Sequence, residues 1–349
     1  MPQYHAPAMN ESRSRREREN ESWAHYWELG LLSSLGNAYT GTYEGAVREH
    51  WRAFFAALAD GSRILDVGTG NGALPAIAIE VARERGVTFE VHGIDLAPIR
   101  PLETVKHQRE LIQPVHFHAN TAAEATPFEA AWFHAITAHY GFEYTDRPAC
   151  ARELGRVAAG GAVLGLVIHH PESIILQTAR EELANAGMLL DESQFFDRAR
   201  ALLETVARAS DPAARAALAR DARAERQRHA LNEAAAAVAA AADASPHPDL
   251  LRLALNAFQT SWRHLSAGDG AAARAALAAG ERGITENRQR LRDLASAYLG
   301  REQVDAAREN LIAAGFEMAV PDRLYHESGA LLGWVLNGRR QSVPAALSQ

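Results

Sequence analysis

The stretch Ile64-Leu65-Asp66-Val67-Gly68-Thr69-Gly70-Asn71-Gly72 sets three glycines at alternate positions behind an apolar run that carries an acid. A glycine turn after a strand lets the backbone approach a ligand closely, and the helix that follows offers unpaired N–H groups. Gly68, Gly70 and Ala73 also satisfy the loose dinucleotide pattern, which is weak on its own. Two carboxylates narrow the choice. Asp66 stands two residues before the first glycine, where it disfavours a pyrophosphate and suits a positive amine. Asp95 closes the next apolar run in Gly-Ile-Asp, where a carboxylate accepts the hydroxyls of a ribose. No Gly-Lys-Ser/Thr follows, so the turn is not a P-loop. Its ligand carries a ribose and an amino-acid amine and no phosphate.

Such groups need a sheet to hold them. From 62 to 168 strands alternate with helices: strands over 63–68, 88–95, 115–120, 133–140 and 161–170, helices over 73–86, about 98–112 and about 147–158. That rhythm predicts an α/β fold with a parallel sheet and helices on both faces. Residues 172 to about 314 then read as helix throughout, rich in alanine, arginine and glutamate, with "DASPHPD" (243–249) as the clearest break. Residues 315–340 read as two strands, with Pro321 setting the first at an edge or a bulge. Ahead of the sheet, Trp23, Tyr26, Trp27, Tyr39, Tyr43 and Trp51 recur among two or three short helices. The helical spacing of Trp23, Tyr26 and Trp27 favours core packing. The domain plan is 1–58 as an N-terminal arm and helices, 59–171 with 300–349 as the core, and 172–299 as a helical cap or dimerisation insertion.

With these residues in place the chain resembles the class I S-adenosylmethionine-dependent methyltransferases, over 62–170 and 315–340. "LDVGTGNG" matches the first motif of that family. The resemblance implies a Rossmann-like seven-stranded sheet, with a large helical insertion before the last two strands. It implies S-adenosylmethionine as cofactor and S-adenosylhomocysteine as product. Gly68, Gly70 and Gly72 would pack under the methionine part, Asp66 would help bind its amine, and Asp95 would hold the ribose. Leu96, Ala122, Ala123 and Ala138 complete the expected cofactor contacts. "NTAAEATPF" (120–128) stands where the third motif usually reads Gly-Asp-Ala-Glu, and Thr121 and Ala122 replace the Gly-Asp pair. His134 stands where the family often has aspartate before its fourth strand. The N-terminal helices of such enzymes often fold over the cofactor, which makes Tyr39 and Tyr43 candidates for substrate contact.

Transfer of a methyl group from a sulfonium is an in-line displacement, governed by alignment, and a hydroxyl or protonated amine as acceptor profits from a general base. In an open α/β sheet the ligand sits at the carboxyl ends of the strands. The fourth strand ends there in His139, Tyr140 and Glu143, the fifth in His169 and His170. Histidine titrates near neutrality, so His139 and His169 are the candidate bases, with Tyr140, Glu143 and His170 as candidate substrate contacts.

The totals bound what else the chain can do. Of 349 residues 47% are hydrophobic, enough for a large core, and the net charge of −7 argues against a phosphate-neutralising surface. The single cysteine, Cys150, rules out an intrachain disulfide framework, and no spacing points to a metal. The N-terminus lacks the apolar run of a secretory signal, and no apolar run approaches a bilayer span, so a cytoplasmic protein is expected. "AHYG" (138–141) stands where methyltransferases acting on amino groups of nucleic acids and on protein glutamine carry Asn/Asp-Pro-Pro-Tyr/Phe. A small-molecule acceptor is therefore favoured, without a membrane or nucleic-acid partner. The alternatives are an RNA or protein methyltransferase docking through Arg215, Arg220, Arg223, Arg226 and Arg228, and a non-catalytic cofactor-binding protein that forms a homodimer through the alanine-rich helices. Asp221 and Glu225 interleave with those arginines, as on a solvated helix face.

Overall fold

The computed structural model describes residues 23–34, 41–209, 212–218 and 220–342. The chain forms two compact units, Met1–Leu176 with Ser296–Gln349, and Gln177–Ala295.

The first unit is built on one sheet. Its strands are β1 (Ser62–Val67), β2 (Phe89–Ile94), β3 (His116–His118), β4 (Phe133–His139), β5 (Ala158–His169), β6 (Phe316–Met318), β7 (Asp322–Tyr325) and β8 (Leu331–Arg340). The order is β3-β2-β1-β4-β5-β8-β6, with β7 also paired to β8. β1 to β5 run parallel, and β8 enters antiparallel between β5 and β6. The order reverses between β1 and β4, so the crevice of an open parallel sheet falls at the carboxyl ends of those two strands.

The sheet has eight strands where seven are implied by the resemblance, and the difference lies at one edge. β6 pairs with Met318 opposite Gly338, and β7 resumes with Asp322 opposite Val335 on the same strand. Pro321, which has no N–H for the ladder, separates them. One interrupted edge strand is thus counted as two.

The helices of this unit are α1 (Gly45–Ala56), α2 (Ala73–Arg85), two single turns α3 (Pro101–Thr104) and α4 (Arg109–Ile112), α5 (Arg147–Val157) and α12 (Arg301–Ala313), preceded by helical residues 23–28. The single helix expected over 98–112 is broken at Gln108, which adopts a left-handed conformation (φ 59°). Its side-chain oxygen there accepts from the Thr42 N–H at 3.2 Å, a tie to a distant segment that local propensity does not register. α5 and α12 bury Leu154, Val157, Val304 and Leu311 against Phe133, Ile136, Leu164 and Leu336 of the sheet. Burying each such side chain contributes about 1.5–3 kcal/mol, which holds the strand ends in register.

The second unit is helical among its described residues. α6 (Ile174–Gly187) runs into it through a π turn at Met188–Glu192, followed by α7 (Phe195–Ala207), α8 (Pro212–Leu218), α9 (Ala222–Ala244), α10 (Asp249–Ser266) and α11 (Gly270–Ser296). The break at "DASPHPD" separates α9 from α10, and Asp221 caps α9 by accepting from the N–H groups of Arg223 and Ala224. Arg228 pairs with Glu225 on the exposed face of α9.

Candidate active site

A cavity of about 190 Å³ opens at the carboxyl ends of β1, β2 and β4, within the first unit. Its floor is the glycine turn. Asp66, at the end of β1, is 3% exposed, and burial pushes its carboxyl up to about 7. Oδ1 of Asp66 accepts from the Thr137 hydroxyl at 2.8 Å. Asp95 follows β2; its Oδ2 accepts from the Gly70 N–H at 2.8 Å and its Oδ1 from the Ala97 N–H at 2.9 Å. Loss of solvent also raises the Asp95 carboxyl. Two carboxylates thus share one water-poor wall, the setting in which a cationic ligand is most welcome.

Gly70 has φ +51°, and a Cβ there would come within 2.3 Å of the Trp27 ring. The turn therefore makes a close approach to the N-terminal segment. Asn71 fastens that segment, donating to the carbonyls of Trp27 at 2.9 Å and Leu31 at 2.7 Å. Trp23 and Trp27 stack on each other and line the cavity, and Trp27 packs on Ala97 and Ile99. These indoles are core and cavity wall at once.

Of the residues read from the sequence as cofactor contacts, Asp66, Gly68, Asp95, Leu96, Ala122 and Ala123 line the cavity. Gly70, Gly72 and Ala138 do not; Gly70 faces Trp27, Gly72 precedes α2 next to Phe117, and Ala138 is fully buried in β4. Thr121 and Ala122, the departures from the third motif, stand on the wall, and the Thr121 N–H donates to the Asp95 carbonyl at 2.8 Å. Nδ1 of His134 accepts from the Arg63 N–H at 3.0 Å.

The candidate acceptor-side residues divide. His139, Tyr140 and Tyr43 line the cavity. The Tyr43 ring lies 4.4 Å from that of His139, and the Tyr140 hydroxyl donates to the Leu332 carbonyl at 3.2 Å. His169, Glu143 and His170 do not line it. His169 stacks on Tyr140, with ring centroids 3.9 Å apart, and burial pushes its imidazole down to about 3. Glu143 accepts from the His169 N–H at 2.8 Å, and burial pushes its carboxyl up to about 8. His170 packs on Trp334, and its Nδ1 accepts from the Glu172 N–H at 3.0 Å. Tyr39 lies outside the described residues.

Sequence reasoning missed Asn71, Thr137 and Trp51. Asn71 is inside the quoted motif, but its partners are backbone carbonyls some 40 positions away. Thr137 sits opposite Asp66 in the β1–β4 register, a pairing with no local signal. Trp51 reaches His139 from α1, its Nε1 donating to Nδ1 at 3.1 Å.

Residues 64–161 match a family model described as a methyltransferase domain, a stretch shorter than half the chain. No curated protein matches the chain. Among solved structures, the (4+2)-cyclase SpnF is 25% identical over 34% of this chain and 44% of its own, with a TM-score of 0.29. Geranyl diphosphate methyltransferase, in complex with GPP and sinefungin, is 17% identical over 43% of this chain and 65% of its own, at 0.34. A SAM-dependent methyltransferase from Methanosarcina mazei is 13% identical over 83% of this chain and 98% of its own, at 0.36. The chain thus spans under two thirds of the length of the first two.

Residues 64–161 of the sheet unit match a methyltransferase-domain model, and the strand order gives the open α/β sheet of the class that the sequence resembles. The cofactor of that class is S-adenosylmethionine, and the residues present fit it. Asp66, buried and without a cation partner among the described residues, and Asp95 both line the cavity beside Gly68, a donor set that suits an amine and a ribose. Among the described residues no helix is long and apolar enough to cross a membrane.

Proposed function

We propose that the protein transfers a methyl group from S-adenosylmethionine to an oxygen or nitrogen of a small-molecule acceptor. The observation that carries this reading is the pair of water-poor carboxylates, Asp66 and Asp95, on either side of the Gly68–Gly72 turn at the sheet's switch point. Asp66 would hold the amine, Asp95 the ribose hydroxyls, and the wall from Thr121 to Ala123 the adenine. When bound, the cofactor would supply a sulfonium methyl to a lone pair of the acceptor, with the electron pair of the broken carbon–sulfur bond left on sulfur. The chain's own part is to align and to exclude water. Trp23, Trp27 and Tyr43 wall the cavity with aromatic surface, which supports an acceptor with an apolar body.

The sequence-derived domain plan belongs to the same proposal, with 172–299 serving acceptor choice or self-association. Localisation in the cytoplasm belongs to it as well. Calorimetric titration with S-adenosylhomocysteine tests the cofactor reading. One-to-one binding in the micromolar range, weakened at least tenfold in Asp95→Ala, supports it; no binding by the intact chain overturns it.

A further inference from the structure

His139 is the one histidine on the cavity wall among the described residues. Its chemistry depends on which ring nitrogen carries the proton, and that is set by the hydrogen bond at the other nitrogen. The partner of Nδ1 is the indole N–H of Trp51, at 3.1 Å. An indole nitrogen only donates. Nδ1 must therefore hold its lone pair toward Trp51, and in a neutral ring the proton resides on Nε2.

Burial favours the neutral ring. His139 is 6% exposed, and burial, with His169 and His50 nearby, holds its pKa well below the ordinary histidine value. Among the described residues, the groups packed around it bring no carboxylate to offset this: Trp51 and His50 from α1, Tyr43 ahead of α1, and Tyr140 and His169 from the ends of β4 and β5. Nε2 is buried and has no hydrogen-bond partner among the described residues. A buried N–H left unpaired costs about 1–3 kcal/mol, so such a donor beside a ligand cavity marks a place where a ligand supplies the acceptor.

We infer that Trp51 is a positioning residue, holding His139 as the Nε2–H tautomer so that it donates a hydrogen bond to the methyl acceptor and takes no proton from it. This rests on the methyltransferase reading above and narrows its acceptor. An alcohol must lose a proton on methylation, and an ammonium must lose one before it has a lone pair. His139 in this tautomer cannot receive it, and of the lining carboxyls Asp66 and Asp95 lie at the glycine turn while Oε1 of Glu124 accepts from the Asp146 N–H at 2.7 Å. The acceptor that best complements an N–H donor unable to take a proton is an organic acid whose oxygen is already ionised near neutral pH, such as a carboxylate or an acidic phenol or enol. Its methylation releases no proton, and its charge accepts from Nε2–H.

The test is nitrogen-15 NMR of the histidine side chains in the full chain loaded with S-adenosylhomocysteine, with His139 assigned by difference against His139→Asn. The expected result is Nε2 protonated and Nδ1 unprotonated from pH 6 to 9. In Trp51→Phe, which keeps an aromatic ring in the core, the Nδ1 signal leaves its unprotonated position as the tautomers mix. A wild-type spectrum with the proton on Nδ1, or with an imidazolium titrating between pH 6 and 8, overturns the inference. That spectrum needs no variant to fold. Binding of S-adenosylhomocysteine in the same sample keeps the cofactor reading separate: a wrong tautomer with intact binding overturns only the role of Trp51.

Discussion

Asn71 holds Trp27 from within the glycine turn: its side-chain amide donates to the Trp27 carbonyl at 2.9 Å, while the Trp27 ring covers Gly70. The loop that forms the cofactor floor and the segment that walls the cavity are thus one mechanical unit.

Asn71→Ala removes both amide bonds and leaves two carbonyls to find other partners. A loss of about 1–3 kcal/mol is expected. Hydrogen exchange should rise in residues 23–34 more than in β1 or β4. Uniform exchange across both regions would mean that the segment is held by its indoles alone.

Gly70→Ala meets two penalties, a positive φ and the Trp27 ring at 2.3 Å from the new Cβ. Gly86→Ala is the matched control, since φ is +65° there and no atom lies within 4 Å. The control should cost about 1 kcal/mol. Gly70→Ala should cost more and should also weaken S-adenosylhomocysteine binding at least tenfold. Chemical denaturation and calorimetry read both. Equal stability losses would show that Trp27 moves aside freely.

Asp66 makes cofactor binding depend on pH. Its carboxyl is raised from the ordinary 3.8 to about 7. The folded state therefore prefers it protonated, and the stability this gives is full below 3.8 and lost as pH rises through about 7. A ligand ammonium pairs with the ionised form. Affinity for S-adenosylhomocysteine should thus rise from pH 5.5 to 8 and then level off, and Asp66→Asn should flatten that rise. Calorimetry over pH measures it; an unchanged slope in the variant would remove Asp66 from the amine site.

Glu143 gives the opposite kind of variant. Its carboxyl, raised to about 8, is mostly protonated at pH 7, and it accepts from the His169 N–H. Glu143→Gln keeps that acceptor oxygen and removes the titration. Stability at pH 4, below the ordinary value of 4.5, should change by less than about 1 kcal/mol. As pH rises from 4.5 to about 8 the parent loses the stability that its protonated carboxyl gives and the variant does not, so at pH 8 and above the variant should unfold at a higher temperature than the parent. A variant less stable at pH 9 would mean that the charged carboxylate is stabilised.

The parallel sheet, the glycine turn and the two acids were legible because each has a short-range signature. Strand and helix periods show within about ten residues, and Asp66 and Asp95 follow from where the strands end. The helix expected over 98–112 failed at Gln108 because a tie to Thr42 outweighed local propensity. The edge strand was counted once because a ladder interrupted at Pro321 can resume only where β8 is long enough to pair with both parts.

The sequence by itself determined which chemical groups gather at the switch point, since strand order and strand ends follow from hydrophobic periodicity and turn residues. Only the tertiary structure decided what those groups can do. Nothing local tells that Trp51 occupies Nδ1 of His139, that Tyr140 stacks on His169, or that burial raises the Asp66 carboxyl to about 7. Protonation state and tautomer depend on desolvation and on hydrogen-bond partners contributed by distant segments, and these exist only once the chain has packed.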